Sequence, residues 1–206
     1  MPARRSADVP LPALIKPQLA TLVDAPPANA TDYIYEIKFD GYRILTRVQG
    51  RSIRIFTRNG NDWTDKLKPL QAALARSKLP DGWYDGEAVV LSNDGTPDFN
   101  ALQNAIDNSR TEAISYFLFD APFLGGVDLR GMSVVTRRQR LKAALEHADP
   151  AIRFSEAFEG GVRDISQSAC KLGLEGIIGK RKESTYVHDR SPAWIKLKCS
   201  LRQEFV

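Results

Sequence analysis

The spacing of apolar and polar residues changes period several times along the chain, and each change marks an element. Between Tyr35 and Asp40, apolar Tyr35, Ile37 and Phe39 interleave with charged Glu36, Lys38 and Asp40. In a strand, residues two apart share a face, so two acids and a lysine stand on one side. YIYEIKF runs into Asp40-Gly41, YRILTRV into Gly50-Arg51, and RSIRIFTR into Asn59-Gly60. Three alternating segments parted by turn dipeptides predict an antiparallel meander. Leu67, Leu70 and Leu74 recur at helical spacing and predict a helix from Asp65 to Arg76. WYDGEAVVL predicts a strand, after which Asp98 is placed to cap a helix through FNALQNAI. SYFLFDAPF predicts a strongly apolar strand. Helices are expected from Thr136 to His147, with Leu141, Ala144 and Leu145 inward, and from Val162 to Lys171, ending at Gly173. EGIIGKR and WIKLKC predict two last strands around a polar loop, ESTYVHDRSPA. Residues 1–31, rich in Pro and Ala, read as an extended arm, and 32–206 as the domain it leads into. Hairpins mixed with isolated helices favour an α+β fold, antiparallel sheets flanked by helices, over a regular βαβ alternation.

Composition narrows this modestly. The 206 residues are 43% hydrophobic and 26% charged, enough for a real core and unlike a disordered chain. A net charge of +4 suits an anionic partner such as a nucleotide or nucleic acid. Cys170 and Cys199 form no CxxC pair, which points to a reduced chain without a disulfide or zinc site; Cys199 is assigned no partner. No apolar run approaches the roughly 20 residues of a membrane helix, and the start lacks a signal-peptide core. A soluble, cytoplasmic protein with no membrane partner is expected.

Absent motifs narrow the chemistry further. There is no GxxxxGK[ST], no GxGxxG at a strand–helix junction and no GxSxG elbow. The two histidines, His147 and His188, are far apart in sequence. Lysine, arginine and carboxylate chemistry remains, and Lys38 is its first candidate. An attacking lysine must be neutral, yet an unperturbed one is only about 0.04% neutral at pH 7. Lys196 and Lys198, two apart on one strand face, are the candidate cationic neighbours, and they could also cradle phosphate oxygens. Carboxylates such as Glu175 and Asp40 could hold Mg²⁺ or Mn²⁺ there.

Lys38-Phe39-Asp40-Gly41 followed by Arg43 resembles the KxDG nucleophile motif of covalent nucleotidyltransferases: ATP-dependent DNA ligases, RNA ligases and mRNA capping enzymes. The companion motifs follow in order. FTRNG carries Arg58, DGE carries Glu87, SYFLFD carries Phe119, EGIIGK carries Glu175, and WIKLK carries Lys196 and Lys198. By these the chain is identified as a member of the ATP-dependent DNA ligase family, adenylation domain. The resemblance implies the covalent nucleotidyltransferase fold, ATP as substrate and a covalent AMP-lysine on Lys38. It implies Glu36 beside the adenine, with Ile37 next to it, and Arg43 and Glu87 on the ribose hydroxyls and nucleotide. Phe119 becomes the stacking platform under adenine. Arg58 and Arg190 face phosphates with Lys196 and Lys198, and Asp40, Glu87 and Glu175 become the metal carboxylates. Non-catalytic nucleic-acid-binding relatives and RNA ligases are the alternatives.

FDAPFLGGVDLRGMSVVTRRQRLKAAL is most similar to bacterial LigD-type end-joining ligases. That resemblance implies nicked double-stranded DNA as partner and a role in DNA repair near the nucleoid. It also implies that an OB-fold barrel, expected after this module, lies outside the chain, as do polymerase and phosphoesterase domains. End-joining proteins are possible partners, and sealing by this module alone is expected to be weak. Outside the motifs, Arg47, Arg51 and Arg54 are a candidate stripe toward a DNA backbone. Arg137, Arg138 and Arg140 are read as a solvated helix face.

Overall fold

The structure, a computed structural model, describes residues 9–158 and 161–199. Its strands form two sheets. The larger contains β3 (Tyr42–Gln49), β4 (Ser52–Thr57), β5 (Gly82–Val90), β6 (Ile114–Leu124) and β7 (Val127–Asp128), in the order β4-β3-β5-β6-β7. A short β8 (Ile152–Phe154) pairs alongside β6 in parallel. The other sheet contains β1 (Leu19–Leu22), β2 (Tyr33–Ile37), β9 (Ala157–Phe158), β10 (Gly176–Arg181) and β11 (Arg190–Lys198), in the order β1-β11-β10-β2-β9. Both are mainly antiparallel, as the α+β expectation requires.

The expected three-strand meander does not form. β3 and β4 make the predicted hairpin around Gly50-Arg51, but β2 pairs with β10 and β9 in the other sheet. Residues 38–41 are a crossing between sheets, not a hairpin turn. The pattern of β2 hides this, because alternation reports two faces without saying which strand lies beside them. Gly41 is required by the crossing: a Cβ there would sit 2.3 Å from the Ala88 carbonyl oxygen.

The helices fall close to their sequence positions. A 3₁₀ turn at Asp65–Leu67 precedes α1 (Lys68–Ser77), which restarts at Pro69, a residue that has no N–H to lose in a first turn. α2 (Phe99–Asp107) begins where Asp98 accepts from the Ala101 N–H at 2.9 Å. α3 (Val134–Ala144) starts two residues before the expected Thr136, capped by Ser133. α4 (Val162–Lys171) matches its expected bounds, and Gly173 beyond it has φ of 71°.

Alternation then assigns the faces. In the larger sheet Ile44, Val48, Tyr84, Ala88, Tyr116 and Leu118 face a core closed by Leu70 and Leu74 of α1, Leu102 of α2 and Leu141 of α3. The opposite face is covered at one end by the N-terminal arm, where Ile15 packs with Leu45, Phe56, Trp83 and Phe123. In the smaller sheet Tyr33, Tyr35, Ile177, Ile195 and Leu197 pack on Val162 and Ala169 of α4. The residues between them, Ile34, Glu36, Ile178, Lys180, Trp194 and Lys196, therefore look the other way.

Two charge assignments are overturned. Arg137 and Arg138 are buried, and only Arg140 of that trio is exposed. Arg137 makes a bidentate pair with buried Asp120, both bonds at 2.8 Å. Such cations stay buried because each has a carboxylate and carbonyl partners. Cys170 and Cys199 are also not free thiols: they form a disulfide joining the end of α4 to the residue after β11. Their separation of 29 residues concealed the pairing, which antiparallel return of the chain creates. No described helix is long and apolar enough to cross a membrane.

Candidate active site

Between the two sheets lies a cavity of about 220 Å³. Its walls include Glu36, Ile37, Lys38, Arg43, Arg58, Glu87, Phe119, Arg190 and Lys196, nine residues singled out from sequence. Register explains the convergence. On the floor, Glu36 lies opposite Ile178 and Ile178 opposite Lys196, while the next row holds Ile34, Lys180 and Trp194. At the end of the floor the Lys38 N–H donates to the Gly176 carbonyl, and Gly176 lies opposite Lys198. On the facing sheet Arg43, Glu87 and Phe117 form one cross-strand row.

Lys38 sits just past β2, with a fifth of its side chain exposed, and its Nζ pairs with the Glu175 carboxylate. Lys198 Nζ holds the other oxygen of the same carboxylate at 3.0 Å. The expected cations are thus present, but a carboxylate bridges one of them, Lys198, to Lys38. Burial opposes ionisation of Glu175, yet the hydrogen bonds from Lys38 and Lys198 keep its carboxyl below the ordinary value. Lys196 is lowered by burial and by the charges of Lys198, Lys38 and Arg190, against Glu175. Gly176 admits this geometry at φ 142°, where a Cβ would lie 2.0 Å from the Leu197 carbonyl oxygen.

Glu36 is not the wetted acid that its alternation allows. It is 2% exposed and held by Arg138 at 2.8 Å, Lys180 at 2.6 Å and Ser155 at 2.9 Å. Of about four lone-pair positions on a carboxylate, three are therefore taken, which leaves about one. Burial lowers Lys180 to about 8 against the pull of Glu36. Its Nζ lies 4.3 Å from the ring centroids of both Phe119 and Trp194. Lys180 and Trp194 were missed in sequence; both lie within the EGIIGK and WIKLK motifs, and their even spacing with Ile178 and Lys196 was the available signal.

Phe119 borders the cavity through a local irregularity. Asp85 pairs with Asp120 but the next residue, Gly86, pairs with Leu118, so Phe119 is an extra residue in β6. A bulge of this kind re-aims a side chain and leaves no mark on an apolar run. Arg43 stands 5.1 Å over the Phe119 ring and is fixed by Asp85 through Nε at 2.9 Å and Nη2 at 2.6 Å. Glu87 is partly buried beside it. Burial pushes its carboxyl up to about 8, with Arg43 and Lys38 pulling the other way.

The remaining candidates divide. Arg58 and Arg190 are exposed at the rim, Arg190 donating to the Ala20 carbonyl at 2.6 Å. Ile37 borders the cavity although its side chain packs on the α4 side. Asp40 is exposed and is not brought to the cavity wall. Among the described residues no three His, Cys, Asp or Glu side chains form a metal-binding group, so the Asp40–Glu87–Glu175 trio is not assembled. Of the proposed arginine stripe, Arg51 is exposed, Arg54 is paired with Asp62 at 2.5 Å, and Arg47 reaches toward the Leu11 carbonyl.

Known proteins resemble this chain in sequence and in fold. The family model for the ATP dependent DNA ligase domain matches residues 17–198. The multifunctional non-homologous end joining protein LigD of Pseudomonas aeruginosa is 51% identical across 100% of this chain, which covers 25% of that protein. The chain thus spans about a quarter of the length of the LigD relatives it matches. The ligase domain of Mycobacterium tuberculosis LigD is similar in structure, with a TM-score of 0.78 and 30% identity, over 89% of this chain and 60% of that one. A mycobacterial DNA ligase D solved with ATP and MES matches with the same values.

Proposed function

This chain belongs to the ATP dependent DNA ligase domain family, and on that premise we propose that it performs the nucleotidyl-transfer chemistry of DNA end joining. Lys38 Nζ, as the free amine, attacks the α-phosphorus of ATP. The N–P bond forms, the bond from the α-phosphorus to the bridging oxygen breaks, and pyrophosphate leaves. The nucleophile's extra proton passes to solvent, and lysyl-AMP remains. AMP then passes to the 5′-phosphate of a nick, whose 3′-hydroxyl displaces it. The observation that carries this reading is the placement of Lys38 at the mouth of one cavity with Glu36, Arg43, Glu87, Phe119 and Lys196 on its walls.

Each residue has a physical task. Phe119 and Trp194 offer apolar surface to a base in the cavity that Glu36 also lines. Arg43, held rigidly by Asp85, meets the sugar. Lys196, Lys198, Arg58 and Arg190 bring positive charge to the phosphates, where the transition state spreads its negative charge. Attack requires Lys38 to leave its pair with Glu175, so a bound phosphate must compete for the lysines that Glu175 now holds.

Mg²⁺ and Mn²⁺ fit here only in a particular way. The protein offers no closed cage of donors, but Mg²⁺ is commonly held by one or two carboxylates plus substrate phosphates. Glu175, already ionised beside Lys38, and Glu87, once an ion displaced the proton that burial holds on it, would be the carboxylates for that; Asp40 does not border the cavity. A bound ion would neutralise phosphate charge as the nucleophile approaches. Nicked duplex DNA, an OB-fold barrel, polymerase and phosphoesterase domains and end-joining proteins are the partners this reading assigns to the full-length protein.

Incubation with α-labelled ATP and Mg²⁺ or Mn²⁺ tests the first step. Label that survives denaturation in the native chain and is lost in Lys38→Ala is expected. Equal labelling of both proteins would refute the assignment.

A further inference from the structure

We propose that Tyr186, in the segment between β10 and β11, is a positioning residue for nucleotide binding that acts on Arg43 through Asp85. The proposal rests on the functional reading above. It starts from the Asp85 carboxylate, whose side chain is fully buried in β5. Oδ1 accepts from Arg43 Nε, and Oδ2 accepts both from Arg43 Nη2 at 2.6 Å and from the Tyr186 hydroxyl at 2.7 Å. The carboxylate is thus a hub between an arginine that lines the cavity and a tyrosine that does not.

Tyr186 is itself immobilised. It is 4% exposed although it lies in a segment whose sequence reads as a polar loop. Its N–H donates to the Arg130 carbonyl at 2.8 Å, its ring meets Trp194 edge-on at 6.1 Å, and the Arg137 guanidinium lies 5.6 Å from its centroid. Arg137 is in turn locked by Asp120. Burial, with Asp85 adding to it, raises the phenol well above its ordinary range, so it stays a donor at every working pH.

The consequence falls on Arg43. Two of its five N–H groups are spent on Asp85, which fixes the guanidinium 5.1 Å over Phe119 and leaves three N–H groups outside that pair on a residue that lines the cavity. A carboxylate gripped at both oxygens by one arginine can still rotate with it. The tyrosine, bonding Oδ2 from a segment 101 positions away, removes that freedom. Without the hydroxyl a buried charged acceptor loses a hydrogen bond, and the Asp85–Arg43 pair gains a second orientation.

The test compares Tyr186→Phe, which keeps the ring and its packing, with Arg43→Lys and the double variant. Equilibrium binding of a non-hydrolysable ATP analogue and the rate of lysyl-AMP formation at saturating ATP are measured for each. Tyr186→Phe is expected to weaken analogue binding about ten-fold while the saturated rate changes less than two-fold. In the Arg43→Lys background it should add nothing, since the group it orients is gone. Unchanged affinity in Tyr186→Phe, or a loss that adds in full to that of Arg43→Lys, overturns the proposal. A drop in melting temperature with unchanged affinity overturns it too, since that is what a purely structural tyrosine would give. Failure of the native chain to bind the analogue or form lysyl-AMP would instead strike the functional reading itself.

Discussion

Replacing Glu87 by Gln should make the fold more stable while making the site worse. The Glu87 carboxyl is raised from 4.5 to about 8, chiefly by burial, so the folded protein holds a proton there that the unfolded chain releases. The associated stability is fully present below pH 4.5 and is lost as pH climbs through 8, because unfolding then frees a carboxylate that prefers water. At ~1.4 kcal/mol per pKa unit the ceiling is about 5 kcal/mol. Glu87 is only partly buried and borders an open cleft, so solvent screening reduces the working figure to about 2 kcal/mol. Glu87→Gln has the same shape and no such titration. Urea unfolding of both proteins from pH 5 to 9 checks this. Native stability should fall against the variant by about 2 kcal/mol across the window, while the variant forms lysyl-AMP more slowly. Stability curves that stay parallel across that range would show that burial does not govern this carboxyl.

Other consequences are simpler. Glu36→Ala leaves Arg138 and Lys180 buried without their shared anion and should destabilise the chain by about 3–5 kcal/mol by calorimetry, more than Lys142→Ala at its exposed pair with Glu156. Gly41→Ala should lower the melting temperature markedly and slow labelling of Lys38, because the Cβ would lie 2.3 Å from backbone and the crossing between sheets must shift. The double variant Cys170→Ser, Cys199→Ser should cost about 3–4 kcal/mol on the chain-entropy model for a span of 29 residues, read by urea unfolding. The native chain should lose the same amount when reductant is added and the double variant nothing. A native chain that takes up a thiol-alkylating reagent without reduction would exclude the bridge.

Local chemistry along the chain was enough for most of the elements and for a set of candidate residues, nine of which border one cavity. Asp98 announces α2 because a capping carboxylate acts within three residues. The alternation in WIKLK puts Lys196 and Lys198 on one face whatever lies beside it. Motif order brought Lys38, Glu87, Phe119 and Glu175 into one hypothesis, and the cavity brings Lys38, Glu87 and Phe119 together with Glu175 bonded to Lys38. What only the tertiary structure decided is which faces meet. Asp40-Gly41 looks like any hairpin turn, yet β2 and β3 belong to different sheets, and that separation opens the cleft. Arg138 looks like a solvated helix residue until Glu36, 102 positions away, is seen beside it. The re-aimed Phe119, the buried Lys180, the Tyr186–Asp85–Arg43 relay and the Cys170–Cys199 bridge share that origin. Periodicity reports the direction of a side chain relative to its own backbone. Burial, charge pairing and reactivity depend on the partner across the gap, and that partner comes from a distant part of the chain.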